Sequence, residues 1–349
     1  MTGKRYRIAQ WGTGNVGRRA LAAVIEHPLM DLVALRVFSG DKAGVDAGEL
    51  CNKAPTGVVA DLHAETVIAA RPDCVIYLPN QADIPDMCRL LEAGINIATA
   101  CVGFNHRDSL EPADRARLEA ACAKGGASLY ATGSSPGWIT ELVPFALLNM
   151  QRRLDRFIIT DYADMASRDS PDMLVNRLGF GTDPATRPTG RPLGTATSTP
   201  PTFRALASAI GLPLDDVTTT IEYAVARKPA KIAIGTIEAG TIGAIRMAVK
   251  GWHRKEEILT RYSLWYVTRE TEPQWEYRDS GWRVQVKGDT SLDISVGFDV
   301  TPEDYPAYSP GLTAHPVINA VPYVCDAAPG ILETADLPML VPDLSRTSG

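Results

Sequence analysis

The segment Ile8-Ala9-Gln10-Trp11-Gly12-Thr13-Gly14-Asn15-Val16-Gly17 constrains this chain more than any other. It sets a G-x-G-x-x-G where an N-terminal strand turns into a helix. Gly12 lets the chain leave the strand in a tight turn, Gly14 removes a Cβ that would keep phosphates from the backbone, and Gly17 lets the helix pack close to the sheet. Helix-start N–H groups then face an anion. The flanks agree, because Val16, Ala20, Leu21, Val24 and Ile25 recur at helical spacing and His27-Pro28 ends the run. The loop predicts a dinucleotide whose pyrophosphate rests on Gly12, Thr13, Gly14, Asn15, Val16 and Gly17. The bland alternative is a turn between strand and helix.

An acidic residue is expected about 20 residues further on, at the tip of the second strand, to bind a ribose hydroxyl. The strand 32–38 instead leads into Ser39-Gly40-Asp41-Lys42, with no carboxylate on its tip. Ser39 and Lys42, with Arg36, suit a 2′-phosphate. NADP is therefore the expected cofactor and NAD the alternative. A purely solvated Lys42 is the competing reading.

At 349 residues the chain is long enough for two domains with real cores, and its 45% apolar and 22% charged composition is that of an ordinary globular protein. A net charge of −6 offers no basic face, which excludes nucleic acid as the expected partner. No apolar run reaches the roughly 18 residues of a membrane span, and Lys4-Arg5-Tyr6-Arg7 leads straight into the first strand, so a cytoplasmic protein without membrane contact is expected. Six cysteines show no C-x-x-C and no zinc-type spacing to histidine. Cys74 and Cys101 lie in apolar strand patterns, and no metal site is expected.

Along the first 150 residues, strand and helix alternate as in a doubly wound sheet. Residues 74–78 read as a central parallel strand, with Pro79 and Asn80 facing the cofactor crevice from its carboxyl end. Pro85 opens a helix that Gly94 closes. A strand spans 95–101, Ser109 caps a helix to about Lys124, and a strand at 128–131 precedes Gly133-Ser134-Ser135-Pro136-Gly137-Trp138 and a further helix. After residue 150 the pattern changes to strands at 156–162, 217–224, 231–238, 257–268, 282–288 and 291–299. Residues 181–201, rich in Pro, Gly and Thr, read equally as a flap over the crevice or as a surface loop. A helix is expected over 313–327, and the tail at 337–342 is expected to cross back to the first domain. The expected fold is α/β: an N-terminal Rossmann domain with a doubly wound parallel sheet, residues 1–150 with the tail from about 313 to 349, and a C-terminal α+β domain, 151–312, on an open mixed sheet.

With these residues in place the chain resembles the dihydrodipicolinate reductase-like oxidoreductases, and within them the 2,4-diaminopentanoate dehydrogenase and amine dehydrogenase branch. The resemblance rests on the glycine loop with Gln10-Trp11, on Lys42-Ala43-Gly44-Val45-Asp46-Ala47-Gly48-Glu49-Leu50, on Gly133-Ser134-Ser135-Pro136-Gly137-Trp138, and on Asn319-Ala320-Val321-Pro322 with Ala328-Pro329-Gly330. It implies hydride transfer between NAD(P)H and a carbonyl carbon that ammonia has converted to an imine, a second domain that shapes the substrate pocket, and a homodimer formed through it. The amine-dehydrogenase pattern also carries a proton-handling glutamate just after the strand 95–101. Here that position is Val102.

Hydride transfer needs the reacting carbons held about 3 to 3.5 Å apart and one group that moves a proton. His106 is the nearest titratable replacement for the glutamate; a surface histidine is the competing reading. Asp161, Tyr162 and Asp164 follow the first strand of the second domain, which the resemblance turns toward the cofactor. Tyr162 suits proton donation and either acid the base role; alternatively Tyr162 packs on the sheet and the acids pair with Arg168 or Arg177. The resemblance places Gly133 beside the nicotinamide, and Ser135, Val102 and Trp138 at a small-molecule pocket, although Trp138 also suits plain packing between domains. The segment lacks the G-x-S-x-G turn of a serine hydrolase. His315 reads as a cap or interdomain contact at the start of the late helix. Reductive amination of a small ketone or aldehyde is the expected reaction, with two alternatives: carbonyl or imine reduction without ammonia capture, and a non-catalytic NADP(H) sensor.

Overall fold

Short apolar strands alternating with helices wind into a parallel sheet in the first of two units. The computed structural model describes residues 4–187, 195–301 and 303–345. One unit holds the chain up to Leu142 and from Tyr308 onward, and the other is Val143–Ala307.

In the first unit the strands are β1 (Tyr6–Trp11), β2 (Met30–Arg36), β3 (Ala60–Asp61), β4 (Cys74–Tyr77), β5 (Asn96–Thr99) and β6 (Ser128–Ala131). Between them run α1 (Asn15–Glu26), α2 (Ala47–Leu50), α3 (Ala64–Ala70), α4 (Ile84–Glu92) and α5 (Pro112–Gly125). Alternate strand residues point to opposite faces, so each face has its own core. Trp11, Val75, Tyr77, Ile97 and Leu129 pack under α4 and α5, while Ile8, Cys74, Ile76 and Ala98 pack against Ala20 and Val24 of α1. Asp83 caps α4 by accepting the Asp86 amide at 2.9 Å. Ser109 does not cap α5, which starts three residues later at Pro112. Its hydroxyl donates instead to the carbonyls of Gly103 and His106, at 2.7 and 2.5 Å, which closes the loop after β5.

The second unit contains α6 (Val143–Leu148), β7 (Leu154–Asp164), α7 (Thr195–Ala209), β8 (Asp216–Ala226), β9 (Ala230–Ile232), β10 (Gly235–Ile237), β11 (Ile242–His253), β12 (Glu256–Tyr266), β13 (Thr271–Glu272), β14 (Gly281–Gly288) and β15 (Leu292–Gly297). Its main sheet is ordered β13-β8-β11-β12-β7-β14-β15, with β7 and β12 parallel and the other pairs antiparallel. Two expectations need correction. The segment 231–238 is a separate β9–β10 ribbon, and the sequence reading missed β11, a central strand whose Gly243, Arg246, Lys250 and Gly251 interrupt its apolar alternation. Of the stretch 181–201 read as a flap or loop, 188–194 lie outside the described residues, and 195–201 form the first half of α7, prolines included.

The chain then returns through α8 (Tyr305–Asp326) and β16 (Gly330–Leu332). The helix begins eight residues before the expected 313, contains Pro310, Pro316 and Pro322, and carries His315 in its interior rather than at its start. Prolines remove ladder hydrogen bonds. The helix survives them because Ala314, Val317, Ile318 and Val321 are buried on the α1 face of the first sheet. β16 pairs with β6 in parallel and completes the order β16-β6-β5-β4-β1-β2-β3.

Candidate active site

The β1–α1 turn is built to leave amides open. Gly12 has φ +98, and a Cβ there would lie 2.8 Å from the Leu78 carbonyl oxygen; a Cβ on Gly17 would lie 2.4 Å from the Gly12 carbonyl oxygen. Only glycine fits either place. Buried Gln10 braces the turn from below, its Nε2 donating to Gly12 O at 2.9 Å and Gly17 O at 3.4 Å. Gly14 is the N-cap of α1, and a Cβ there would meet no atom within 4 Å. Among the described residues no side chain caps α1, and its first turn, with Asn15 and Val16, carries no acid. The positive helix end therefore keeps its amides for an anion. These features fit the pyrophosphate of a dinucleotide.

Lys42 is half-buried against the same turn, its Nζ donating to Thr13 O at 3.2 Å and Thr13 Oγ1 at 3.4 Å. Arg36 is withdrawn from the set expected around a 2′-phosphate. It pairs with Asp86 at 2.7 Å, donates to Leu62 O at 3.2 Å, and lies 4.1 Å over the Trp11 ring. Ser39 hydrogen-bonds the Asp41 carboxylate and is the main reason that acid is held below its usual range. Pro79, following β4, reaches the turn: its nitrogen lies 3.4 Å from the Cβ position of Gly12, and exposed Asn80 comes next.

At the carboxyl ends of β5 and β6, a Cβ on buried Gly133 would lie 3.2 Å from Thr313 Cγ2 and 3.9 Å from Ala100 Cβ. Ser134 Oγ and Thr313 Oγ1 share a hydrogen bond of 3.0 Å. Sequence reasoning did not single out Thr313, because only the return of α8 brings it here. The Ser135–Pro136 peptide is cis, and Trp138 N donates to Gly133 O at 2.7 Å, so half-buried Ser135 and Trp138 bracket one tight turn. Val102 is 61% exposed on the neighbouring loop.

His106 is not a surface residue; it is 4% exposed. Its Nε2 stands 3.6 Å from Glu141 Oε1 and its Nδ1 4.0 Å from Glu333 Oε2. Glu141, in a π-helix over Trp138–Leu142, accepts the Thr334 hydroxyl at Oε2, and Thr334 in turn meets the Tyr130 hydroxyl at 2.9 Å. Burial pushes the Glu141 carboxyl up to about 7 against the opposing pull of His106. Burial also acts on Glu333, but the His106 ring and the Arg107 amide and guanidinium outweigh it and hold that carboxyl down to about 2. The sequence signal for Glu141 is the one charged residue in the run Trp138-Ile139-Thr140-Glu141-Leu142-Val143.

In the second unit β7 splits the three candidates. Tyr162 packs in an apolar cluster with Ala224, Ala244, Leu264 and Tyr266. Asp161 projects from the opposite face, where Trp265 Nε1 donates to Oδ2 at 3.2 Å and Arg261, rather than Arg168 or Arg177, lies 4.0 Å away. Asp164 accepts the Ala166 amide at 3.0 Å, a local turn. No group of metal-binding side chains occurs among the described residues, and no described helix is long and apolar enough to cross a membrane. A cavity of 920 Å³ runs along β16 between Tyr6, Tyr323, Asp326 and Leu332; no residue of the glycine turn lines it.

The family model for the 2,4-diaminopentanoate dehydrogenase C-terminal domain matches residues 198–345. An amine dehydrogenase of Streptomyces virginiae is 30% identical over an alignment that covers 94% of this chain and 95% of the relative. The structure of an amine dehydrogenase from Mycobacterium smegmatis superposes with a TM-score of 0.73 at 19% identity, covering 96% of this chain and 97% of that one. Biliverdin reductase from Synechocystis sp. PCC 6803, solved with biliverdin and NADP+, shares the fold at a TM-score of 0.50 and 13% identity, over 95% of this chain and 94% of that one.

Proposed function

The chain belongs to the amine dehydrogenase family and is an NAD(P)-dependent oxidoreductase, and on that premise we propose that it reductively aminates a small ketone or aldehyde, with NADPH preferred over NADH. In that reaction ammonia and the carbonyl condense to an imine with loss of water; hydride adds to the imine carbon and a proton to its nitrogen. The dinucleotide, when bound, supplies the hydride. The observation that carries the reading is the uncapped start of α1 beside Gly14, with the Lys42 ammonium held against Thr13. The amides of Thr13, Gly14, Asn15, Val16 and Gly17 bind the pyrophosphate, the Gly12 amide being donated to Arg36 O at 2.8 Å, and Lys42 with Ser39 receives the ribose phosphate. Pro79, Asn80 and Gly133 border the nicotinamide. Val102, Ser135 and Trp138 border the substrate. His106, enclosed by two carboxylates, positions the loop that carries Val102 rather than touching the reacting atoms. A homodimer belongs to this reading, and light scattering on the purified protein tests it.

One observation favours a second reading. An exposed valine stands where the family pattern carries a glutamate, which suits reduction of a carbonyl or preformed imine without ammonia capture. Incubation with NADPH and a panel of small ketones, with and without ammonium, separates the two. Oxidation that requires ammonium supports reductive amination, and oxidation that ignores it supports the second reading. Cofactor binding with no oxidation under either condition overturns both and leaves a sensor.

A further inference from the structure

The carboxylate of Asp161 is held firmly but incompletely compensated. Register places it opposite Ser263 on β12 and Trp282 on β14. The indoles of Trp265 and Trp282 both hydrogen-bond it, the former at 3.2 Å. Arg261 is buried on the same face, yet its Nη1 donates to Thr199 at 3.0 Å and the guanidinium comes only to 4.0 Å from Asp161. Burial raises the Asp161 carboxyl above its usual range, and neither the arginine nor the indoles reverse that. The side chain nonetheless keeps 19% of its surface open. A poorly solvated carboxylate that is held by indole donors, keeps part of its surface exposed and has its arginine no nearer than 4.0 Å has room for a closer cation.

We propose that Asp161 binds the ammonium group of a primary amine, the Trp265 and Trp282 indoles fixing the carboxylate and offering apolar surface to the amine's carbon chain. Charge sign selects the ligand class: a carboxylate or phosphate here would be repelled by Asp161, whereas an alkylammonium forms a charge-assisted hydrogen bond with it. Neither neighbouring candidate takes the role, since Tyr162 lies on the other face and Asp164 accepts its own turn amide. The inference rests on the function proposed above and names where its nitrogen-bearing partner is held.

Calorimetric titration of the full-length protein with n-butylammonium and cyclohexylammonium chloride, with 1-butanol and cyclohexanol as uncharged counterparts, tests it. The expected result is saturable amine binding at least tenfold tighter than alcohol binding, weakened at least tenfold in D161N and severalfold in W265F. A thermal melt checks each variant's fold, and W265F decides the matter if D161N does not fold. Absence of saturable amine binding, equal binding of amine and alcohol, or unchanged binding in the folded variant overturns the proposal. If ammonium-dependent NADPH oxidation occurs with the same ammonium KM in wild type and D161N, this proposal falls while the enzyme function stands. If amine binding requires Asp161 but no ketone is turned over, the reverse holds.

Discussion

His106 Nε2 faces Glu141 Oε1 across 3.6 Å inside the first unit, far from solvent. The pair brings the loop after β5 beside the π-helix after β6, and burial of the carboxyl makes folding sensitive to pH. The Glu141 carboxyl moves from 4.5 to about 7 on burial, so folding favours its protonated form. The stability it contributes is complete below pH 4.5 and is lost as pH rises through 7, at most about 3 kcal/mol. Glu333 acts oppositely, with stability present above 4.5 and lost as pH falls toward about 2. Glu141→Gln keeps an acceptor for Thr334 and cannot ionise. Thermal melts across pH are expected to show the variant more stable than wild type at pH 8 and indistinguishable at pH 4; equal curves at both would refute the linkage.

Two glycines of the same turn are expected to respond differently to alanine. A Cβ on Gly17 would press within 2.4 Å of the Gly12 carbonyl, so Gly17→Ala should lose about 1 to 3 kcal/mol of stability. Gly14 has φ −69 and open space around its Cβ position. Gly14→Ala should therefore melt within about 0.5 kcal/mol of wild type while its Kd for NADPH rises at least tenfold. A well-folded Gly14→Ala protein with unchanged NADPH affinity would place the pyrophosphate elsewhere.

Lys42 discriminates between cofactors in this reading. Removing its ammonium should weaken NADPH by about tenfold, roughly 1.4 kcal/mol, and NADH by much less. Fluorescence titration of Lys42→Ala with both reduced cofactors checks this. An equal loss for the two would assign the lysine to the shared pyrophosphate.

The glycine turn could be read from the sequence because its constraints act within a few residues: a positive φ at Gly12, and a carbonyl crowding Gly17. The alternating elements and mixed second sheet were legible from apolar periodicity, which is local as well. What failed depended on contacts between distant segments. β11 is central because β8 and β12 flank it, not because its own interrupted pattern announces a strand. His106 looked exposed between Asn105 and Arg107 because the carboxylates that enclose it come from Glu141 and Glu333. Arg36 looked free for a phosphate until the fold brought Asp86 to it. The split between Asp161 and Tyr162 follows from strand alternation, and was readable once β7 extended as far as Asp164.

The pairing of β16 with β6 joins segments about 200 residues apart into one sheet. During synthesis the β6 edge, the Tyr130 hydroxyl and the Glu141 carboxyl thus wait for β16 and Thr334, which leave the ribosome only after every strand of the second sheet has emerged. The second sheet's strands are made between the glycine turn and the strand that closes the nucleotide-binding sheet, so an interrupted translation product lacks that closing strand even when the whole glycine turn has been made.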